Sequence, residues 1–441
     1  MEMSSFKRAQ ISTLLSRLRE DPKWLIVVAG PRQVGKTTLV RQALAQIDLP
    51  HKYLPVDRPQ STTLETPWSS LVGTWEDQDY PWDSSTTLPS DDPEEAVPIS
   101  DVRDTAWLIR QWERARREAK QSERRFVLVF DEIQKIPNWS ETVKGLWDAD
   151  RHEDLPLHVV VLGSAPLLMQ RGLSESMLGR FETIRLPHWS FTEMSEAFGF
   201  DLDRYIYFGG YPGAASLVQE QQRWREYILG SIIEPNIERD ILAMERVDRP
   251  ALLKRLFEFG AEMSGQILAY DKMLGQIQDV GNTTTLSRYL DLLSKAGLLT
   301  GLGKYAGGVY RRRASSPKLN VLNTALMSVH SGYTFEEARA DRSFWGRLVE
   351  SAVGAHLFNT GTPEVRLHYW RERSLEVDFV LEYGRKLVAV EVKSGPRRGN
   401  TSGMEEFKTR FSPKSSLLVG EGGTPISEFL SAPAMDWFKQ S

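Results

Sequence analysis

The sequence contains no cysteine and no long hydrophobic run among its 441 residues. The lack of cysteine excludes disulfide bonds, thiol catalysis and cysteine-ligated zinc or iron–sulfur sites, and it suits a reducing cytoplasm. Because no stretch of about 18 apolar residues occurs, we expect no membrane-spanning helix and no membrane partner. Residues 1–8 also lack the apolar core of a signal peptide, so we expect a cytoplasmic location.

A large excess of one charge is missing as well. The net charge is −4, so any contact with DNA has to come from local basic patches rather than from the chain as a whole. Hydrophobic residues make up 41% of the chain, which is enough for real cores. A chain of this length predicts about two to four domains.

Residues 30–37 fit the pattern G-x-x-x-x-G-K-[ST] of a phosphate-binding loop. The apolar run at 24–29 predicts a buried parallel strand before the loop, and residues 38–44 predict a helix after it, which is the context that the motif requires. The alternative is a chance match in a glycine-rich turn. The residues expected to bind the cofactor ATP are Gly30, Pro31, Arg32, Gln33, Val34, Gly35, Lys36, Thr37 and Thr38.

The residue types of this loop match their expected roles. Gly30 and Gly35 allow backbone N–H groups to wrap a polyphosphate, and the start of the helix adds positive potential. Lys36 is expected to reach the β- and γ-phosphates. Thr37 is expected to offer its hydroxyl to Mg²⁺.

A second motif supplies the acids that this chemistry needs. Residues 126–130 form an apolar run that predicts a strand, and Asp131 and Glu132 follow it directly. This is the pattern of a Walker B strand, in which Asp131 would hold Mg²⁺ through water and Glu132 would act as the general base on the attacking water. The alternative is a carboxylate pair that only caps the next turn.

Strands and helices alternate through the first part of the chain, which predicts an α/β fold with a doubly wound parallel sheet. Residues 58–105 are rich in Asp, Glu, Ser, Thr and Pro, and we expect them to form a mobile surface insertion. The other predicted elements are helices at 7–20 and 106–121 and strands at 52–56, 158–163 and 182–186.

In this order the motifs resemble those of an AAA+ ATPase. In that comparison Ser164, at the end of a strand, has the sensor-1 position and would help to orient the water, or it simply caps a turn. Arg180 has the position of an arginine finger, which would act on the γ-phosphate of a neighbouring subunit. That role implies a homo-oligomer, at least a dimer or a ring such as a hexamer; the alternative is a surface ion pair. The turn at 209–213 is similar to the lid region.

Nearly the full length, apart from the insertion, resembles a broad prokaryotic family of predicted AAA+ ATP-binding proteins with a C-terminal domain of unknown function. The motifs that carry this resemblance are 30–37, Asp131-Glu132, Gly179-Arg180, 190–193, 209–213, 285–299 and the acidic-lysine motif near the C-terminus. The resemblance implies architecture more than biology.

The middle of the chain predicts a winged helix. Two helices flank the turn at 279–282, the second of them at 283–296, and Gly297 is expected at its C′ position. Residues 298–313 predict a hairpin or wing with Gly307-Gly308 as its turn. This wing would carry Lys304, Arg311, Arg312 and Arg313 and could bind DNA phosphates. The alternative is a winged helix used only for packing.

The C-terminal part predicts a β-hairpin of residues 376–382 and 386–393. The loop Gly384-Arg385 has glycine first, as a type II′ turn prefers, and its register places Asp378 opposite Glu391. Lys393 lies on the same face as Glu391 because side chains alternate along a strand. Two facing carboxylates repel each other, and a divalent cation would remove that penalty.

This D-x(12)-E-x-K arrangement resembles the core of PD-(D/E)XK nucleases, in which Asp378 and Glu391 would hold Mg²⁺ or Mn²⁺ and Lys393 would orient the water. Glu350 matches the acid on the first helix of that core. The proline of the signature is absent. The alternative is a nuclease-like fold whose acids are structural. Arg371, Arg373, Arg397 and Arg398 could bind phosphates or be ordinary surface charges.

These motifs predict an AAA+ core at 1–195, a helical lid at 196–249, a winged helix at 250–313 and a nuclease-like domain at 314–441. We expect an ATPase that binds, remodels or moves DNA, duplex or branched, with a C-terminal domain that binds and could cleave it. The alternative is an ATP-dependent switch or scaffold whose nuclease-like domain is inactive and binds a partner. A protein-remodelling machine lacks support, because no clear pore-loop signature occurs.

Overall fold

A computed structural model describes residues 6–57, 103–122, 124–164, 177–242, 247–277, 282–307, 315–395 and 402–439. Several sequence predictions lie outside these residues: most of the insertion, the centre of the turn at 279–282, the basic end of the wing, and Arg397 and Arg398. The chain divides into two compact units. The first unit contains Met1–Val28, Thr37–Gly163 and Gly172–Ile184, and the second contains Ala29–Lys36, Ser164–Arg171 and Arg185–Ser441.

A five-stranded parallel sheet lies in the N-terminal part, with the strand order β2-β3-β4-β1-β5. The strands are β1 (Leu25–Gly30), β2 (His51–Pro55), β3 (Phe126–Asp131), β4 (Leu157–Ser164) and β5 (Phe181–Arg185). Every residue of β1 and β3 is buried, as expected for parallel strands covered on both faces. The α/β prediction is therefore confirmed.

The described residues of this part of the chain include the helices α1 (Gln10–Arg19), α2 (Lys36–Leu44), α3 (Thr105–Ser122) and α4 (Trp139–His152). Helix α3 packs on β3 through Trp112, whose ring stacks on Phe130 with centroids 6.1 Å apart. The Trp112 indole N–H donates to the fully buried Asp150 of α4 at 2.7 Å, and Arg116 pairs with the same carboxylate. These contacts fix the strand that ends at Asp131.

Helices follow β5 in the second unit. Their bounds are α5 (Phe191–Phe198), α6 (Leu202–Phe208), α7 (Gln221–Tyr227), α8 (Pro250–Glu262), α9 (Tyr270–Ile277) and α10 (Thr283–Lys295), with π-helical turns at Ile228–Ile233 and Asn236–Ile241. Asn282 caps α10 by accepting the N–H of Thr285 at 2.7 Å. Gly297 has φ +75°, so its predicted place as a C′ residue is confirmed.

A six-stranded mixed sheet follows, with the strand order β11-β10-β9-β8-β6-β7. The strands are β6 (Leu299–Lys304), β7 (Lys318–Val321), β8 (Val365–Glu372), β9 (Leu375–Tyr383), β10 (Lys386–Lys393) and β11 (Ser415–Gly420). The accompanying helices are α11 (Ala325–His330), α12 (Phe335–Ala340), α13 (Arg342–Thr360), α14 (Ser402–Phe411) and α15 (Ile426–Phe429). The core beneath the sheet includes Trp370 and Phe407, whose rings are 5.5 Å apart.

The hairpin of β9 and β10 has the predicted register. Lys386 pairs with Tyr383 and Val390 pairs with Phe379. Gly384 has φ +58°, whereas Arg385 is not among the residues with positive φ, as a type II′ turn requires. The predicted register of this hairpin is confirmed.

Strand β6 lies in the first part of the predicted wing, and residues 308–313 of that wing lie outside the described residues, so the wing stays a prediction. Strand β6 pairs antiparallel with β7 and parallel with β8, so it belongs to the six-stranded sheet, and the domain boundary predicted at 313 falls between two paired strands. Strand β6 also packs on helix α8. A Cβ at Gly260 of α8 would come within 2.2 Å of Leu299, so the helix and this strand are in close contact.

Candidate functional site

The phosphate-binding loop connects the end of β1 to the start of α2. Gly35 has φ +90° and Gln33 has φ +58°, which curl the backbone between strand and helix. The buried side chain of Lys36 turns back into this loop, where its ammonium donates to the carbonyl oxygens of Gly30 and Pro31, both at 2.9 Å. These two carbonyls hold the ammonium inside the loop, and its contact with a phosphate stays a prediction.

Two aromatic residues that the sequence analysis did not identify contact the loop. The indole N–H of Trp189 donates to the carbonyl of Val34 at 3.0 Å. The hydroxyl of Tyr227, at the end of α7, donates to Gln33 Oε1 at 2.5 Å. Both contacts lie within the second unit, and no sequence pattern marks them, because the partners are far apart in the chain.

The loop also packs on the end of α10. A Cβ at Gly297 would lie 2.6 Å from Pro31 Cγ, so only glycine leaves room there. The Gly297 carbonyl is 2.7 Å from His188 Nε2, and His188 Nδ1 is 3.4 Å from Asn323 Nδ2. Polar contacts through the buried His188 side chain thus connect Gly297, which packs on the loop, to Asn323 just before α11.

Thr37 and Asp131, the two residues predicted to hold Mg²⁺, are in direct contact. The Thr37 hydroxyl donates to Asp131 Oδ2 at 2.7 Å, and the Tyr53 hydroxyl donates to the same oxygen. Burial and the charge of Asp131 raise the pKa of Tyr53, so its hydroxyl stays protonated as a donor. A carboxylate and a hydroxyl are hard oxygen ligands that fit Mg²⁺.

Glu132 lies directly after this pair in an unusual backbone conformation. Its φ is +58°, a left-handed conformation that is uncommon for residues other than glycine and occurs preferentially at functional sites. The Gln134 side-chain amide donates to Glu132 Oε2 at 2.5 Å. This geometry orients the carboxylate, and its role as general base stays a prediction.

Ser164 and Arg180 are the two residues whose roles come from the AAA+ resemblance. Ser164 ends β4, but its side chain is not among those described. Arg180, just before β5, donates twice to Asp148, from Nε at 2.6 Å and from Nη2 at 3.0 Å. Within one subunit Arg180 is therefore an ion-pair partner, and its action on a neighbouring subunit stays a prediction.

The C-terminal residues lie on α13, β9 and β10. Helix α13, which carries Glu350, begins after Asp341, whose carboxylate accepts the N–H of Phe344 at 3.0 Å. Lys393 Nζ is 2.6 Å from Glu391 Oε1, so these two predicted residues form an ion pair. Asp378 Oδ2 accepts the N–H of Val392 at 2.8 Å.

Both glutamates of this cluster titrate abnormally. Burial and the nearby charge of Asp378 raise the pKa of Glu391 to about 7. Burial also raises the pKa of Glu350 to about 7, although the Lys318 ammonium lowers it. Burial is the main cause of both raised pKa values, and the negative charge of Asp378 raises them further.

Lys318 is the residue of this cluster that the sequence analysis missed. It begins β7 and is fully buried, with its ammonium 2.6 Å from Glu350 Oε1 and 3.5 Å from Asp378 Oδ1. The structure reveals it as a lysine at the start of a strand whose four residues are all buried, and no sequence motif marks it.

The predicted metal site does not fit this arrangement. Among the residues that the structure describes, no group of three or more His, Cys, Asp or Glu is placed to hold a metal ion. The cation between Glu350 and Asp378 is the ammonium of Lys318. The expectation of Mg²⁺ or Mn²⁺ at Glu350, Asp378 and Glu391 is therefore not supported.

Comparison with protein families gives three separate matches. Residues 85–195 match a family described as an AAA domain, a range that includes Asp131, Glu132 and Arg180 but begins after the phosphate-binding loop. Residues 199–337 match a domain of unknown function (DUF8612), and residues 345–433 match another (DUF4143). The AAA match and the strand–loop–helix geometry together support a P-loop AAA-type ATPase.

Related proteins occur in several prokaryotes. Uncharacterized proteins of Mycobacterium tuberculosis and Mycobacterium bovis are 26% identical over 315 residues, covering 70% of this chain and 68% of theirs. An uncharacterized protein of Haemophilus influenzae is 24% identical over 298 residues, covering 65% of this chain and 64% of its own.

Two solved structures show a distant likeness. The Walker-type ATPase of Pyrococcus abyssi has a TM-score of 0.49 and 15% identity, covering 75% of this chain and 97% of its own. The RuvB Holliday junction branch migration motor of Thermotoga maritima has a TM-score of 0.31 and 15% identity, covering 68% and 91%. Because both TM-scores are below 0.5, these likenesses carry no conclusion about function.

In the described part of the chain, no helix combines the length and apolar character needed to cross a membrane.

Proposed function

We propose that the chain binds ATP with Mg²⁺ at the phosphate-binding loop and hydrolyses it. The observation that carries this proposal is the 2.7 Å hydrogen bond from the Thr37 hydroxyl to Asp131. This bond joins Thr37, which follows the loop lysine, to Asp131 at the end of β3. A hydroxyl and a carboxylate in these positions are the two groups that hold Mg²⁺ in a phosphate-binding-loop ATPase.

Each residue then has a defined task. Lys36 exchanges the carbonyls of Gly30 and Pro31 for phosphate oxygens, while Thr37 and Asp131 would hold the metal directly and through water. Bound Mg²⁺ neutralises the charge that develops on the phosphoryl oxygens. Glu132 orients and deprotonates the attacking water.

The test is an ATPase assay with separate nucleotide-binding measurements. Lys36→Ala should abolish binding, because the ammonium that meets the β- and γ-phosphates is gone. Glu132→Gln should keep binding and stop turnover, because it removes only the base. Glu141→Gln, the same change on an exposed carboxylate of α4, is the matched control and should hydrolyse normally. Normal turnover by Glu132→Gln would show that the Walker B assignment is wrong.

DNA is the target that we propose for this ATPase. Helix α10, the second helix of the predicted helix-turn-helix, exposes Thr284, Ser287 and Arg288 on one side, while Leu286, Tyr289 and Leu290 are buried. A helix that is anchored by one face and presents polar groups on the other can contact a DNA backbone. The proposal does not include DNA cleavage, since Lys318 lies among the carboxylates expected to bind the metal.

ATPase rates with single-stranded, duplex and branched DNA test this target. DNA should stimulate the rate, and Arg288→Ala should weaken the stimulation and reduce the salt dependence of DNA binding by about one phosphate contact. The control is Arg223→Ala, which removes an exposed arginine of α7 that pairs with Glu220. A rate indifferent to every DNA would favour the alternative, a nucleotide-dependent switch that acts on another partner.

A further inference from the structure

The centre of the C-terminal cluster is occupied by a cation that the chain itself supplies. The Lys318 ammonium lies 2.6 Å from Glu350 Oε1, 3.5 Å from Glu376 Oε1 and 3.5 Å from Asp378 Oδ1. It also donates to the backbone carbonyl of Asp378 at 3.3 Å. Three carboxylates from α13 and β9 thus converge on one fully buried side chain.

This lysine is held as a permanent charge. Burial alone would lower its pKa, but the charges of Glu350, Asp378 and Glu376 outweigh burial and raise the pKa above its ordinary value. An ammonium without water is stable only when it is paired, and here each neighbouring carboxylate supplies part of the pairing. The ring of Phe379, with its centroid 5.0 Å from Nζ, closes another side.

The other acids of the cluster are also engaged by groups of the chain. Glu391 Oε1 pairs with Lys393 at 2.6 Å, and Asp378 Oδ2 accepts the N–H of Val392 at 2.8 Å. Within the described residues, two buried carboxylate oxygens of the cluster have no hydrogen-bond partner, Glu350 Oε1 and Glu391 Oε2, and the first of them already forms an ion pair with Lys318 at 2.6 Å. Two such oxygens are too few for a hard divalent cation, which takes about six oxygen ligands.

We propose that Lys318 takes the place of a divalent cation in this centre, so that the C-terminal domain is stabilised without metal and does not cleave DNA by a metal-dependent mechanism. A metal ion between Glu350 and Asp378 would lie beside the ammonium, and two cations at that separation repel strongly in a buried site. The acids therefore fix β7 to α13 and β9. This inference is independent of ATP hydrolysis at the phosphate-binding loop.

The test measures Mn²⁺ binding by electron paramagnetic resonance on the full-length chain without nucleotide. The Thr37→Val background removes the hydroxyl ligand of the other expected metal site. With Lys318 present, no Mn²⁺ should bind at the C-terminal cluster. Lys318→Met, which nearly keeps the length of the side chain and removes its charge, should gain one bound Mn²⁺ per chain, because four acids are then left with one lysine.

Two further variants test whether the gained Mn²⁺ site depends on Lys318 and on the acids around it. Lys393→Met also removes a lysine of the cluster but leaves Lys318 in place, so it should not gain Mn²⁺ binding. Lys318→Met combined with Asp378→Asn should lose the gained site. Thermal unfolding is the second readout: Mn²⁺ should raise the midpoint of Lys318→Met and leave that of the parent unchanged.

Two results would overturn the proposal. The first is stoichiometric Mn²⁺ binding with Lys318 intact that Asp378→Asn abolishes. The second is a folded Lys318→Met chain that binds no more Mn²⁺ than its parent, since Lys318 would then not stand at a metal position. Where Lys318→Met does not fold, the first measurement alone decides, and recovery of folding by adding Glu350→Gln would support the charge-pairing role.

Discussion

Replacing Thr37 by valine tests the proposed metal site with the smallest change in shape. Valine keeps the methyl group and replaces the hydroxyl that donates to Asp131 at 2.7 Å. A hydrogen bond to a charged group contributes about 1.5–3 kcal/mol to stability. Because Tyr53 still donates to the same carboxylate oxygen, we expect a loss near the lower end, about 1.5 kcal/mol.

The effect on nucleotide binding should depend on the metal. Without Mg²⁺, the loop backbone and Lys36 still bind the phosphates, so ATP affinity should be unchanged in Thr37→Val. With Mg²⁺, a ligand that also orients Asp131 is missing, and affinity should fall by at least about tenfold, as it does when partners of metal ligands are lost. Tenfold corresponds to about 1.4 kcal/mol.

Isothermal titration of ATP with and without Mg²⁺ measures this difference directly. The control is Thr142→Val on α4, the same chemical change at an exposed hydroxyl that contacts the Asn138 carbonyl at 3.4 Å. It should leave both affinities unchanged. If Thr37→Val keeps the full gain in affinity from Mg²⁺, the pairing of Thr37 with Asp131 has no part in metal binding and the reasoning fails.

Three further predictions address other parts of the chain. Trp189→Phe removes the donor to the Val34 carbonyl and should weaken ATP binding about fivefold, which corresponds to about 1 kcal/mol for one neutral hydrogen bond, with the unfolding midpoint as the check on fold integrity. Arg180→Ala should lose ATPase activity but regain it when mixed with Lys36→Ala subunits, and a mixture without activity would contradict action between subunits. Burial lowers the pKa of His356 to about 4, below its ordinary value, so the unfolded chain binds more protons and stability should fall as pH drops from about 6.5 to 4. His356→Gln should flatten that dependence by at most about 1.4 kcal/mol per pH unit in denaturant titrations, and an equal slope would contradict this assignment.

The sequence was most informative where function and fold depend on neighbouring residues. The loop at 30–37, the buried strand before it and the helix after it are contiguous, so one pattern contains the whole phosphate-binding element. The hairpin of β9 and β10 is equally local. Its loop of Gly384 and Arg385 set the register, and the observed pairing of Val390 with Phe379 follows from it.

The sequence was less informative about contacts between distant segments. Strand β6 follows the two helices that the sequence predicts as a helix-turn-helix, and it precedes basic residues, so local order favoured a wing. The sequence did not reveal that β6 pairs with both β7 and β8, and β8 is separated from it by several helices. The sequence did not reveal Trp189 and Tyr227 either. Their contacts with the loop at Val34 and Gln33 join distant parts of the chain.

The C-terminal cluster shows why acidic motifs alone predict a metal poorly. A short pattern such as D-x(12)-E-x-K reveals that negative charges meet, and electrostatics then requires that something neutralise them. It does not reveal whether a metal ion, protons or a lysine does so. Here Lys318, sixty residues before Asp378, supplies the positive charge from another strand of the sheet. Glu350 and Glu391, with raised pKa values, can supply the remaining neutralisation by binding protons. An acidic motif that resembles the nuclease core is therefore compatible with a binding or structural role. The position of the nearest buried lysine is the feature that distinguishes such a role from a metal site.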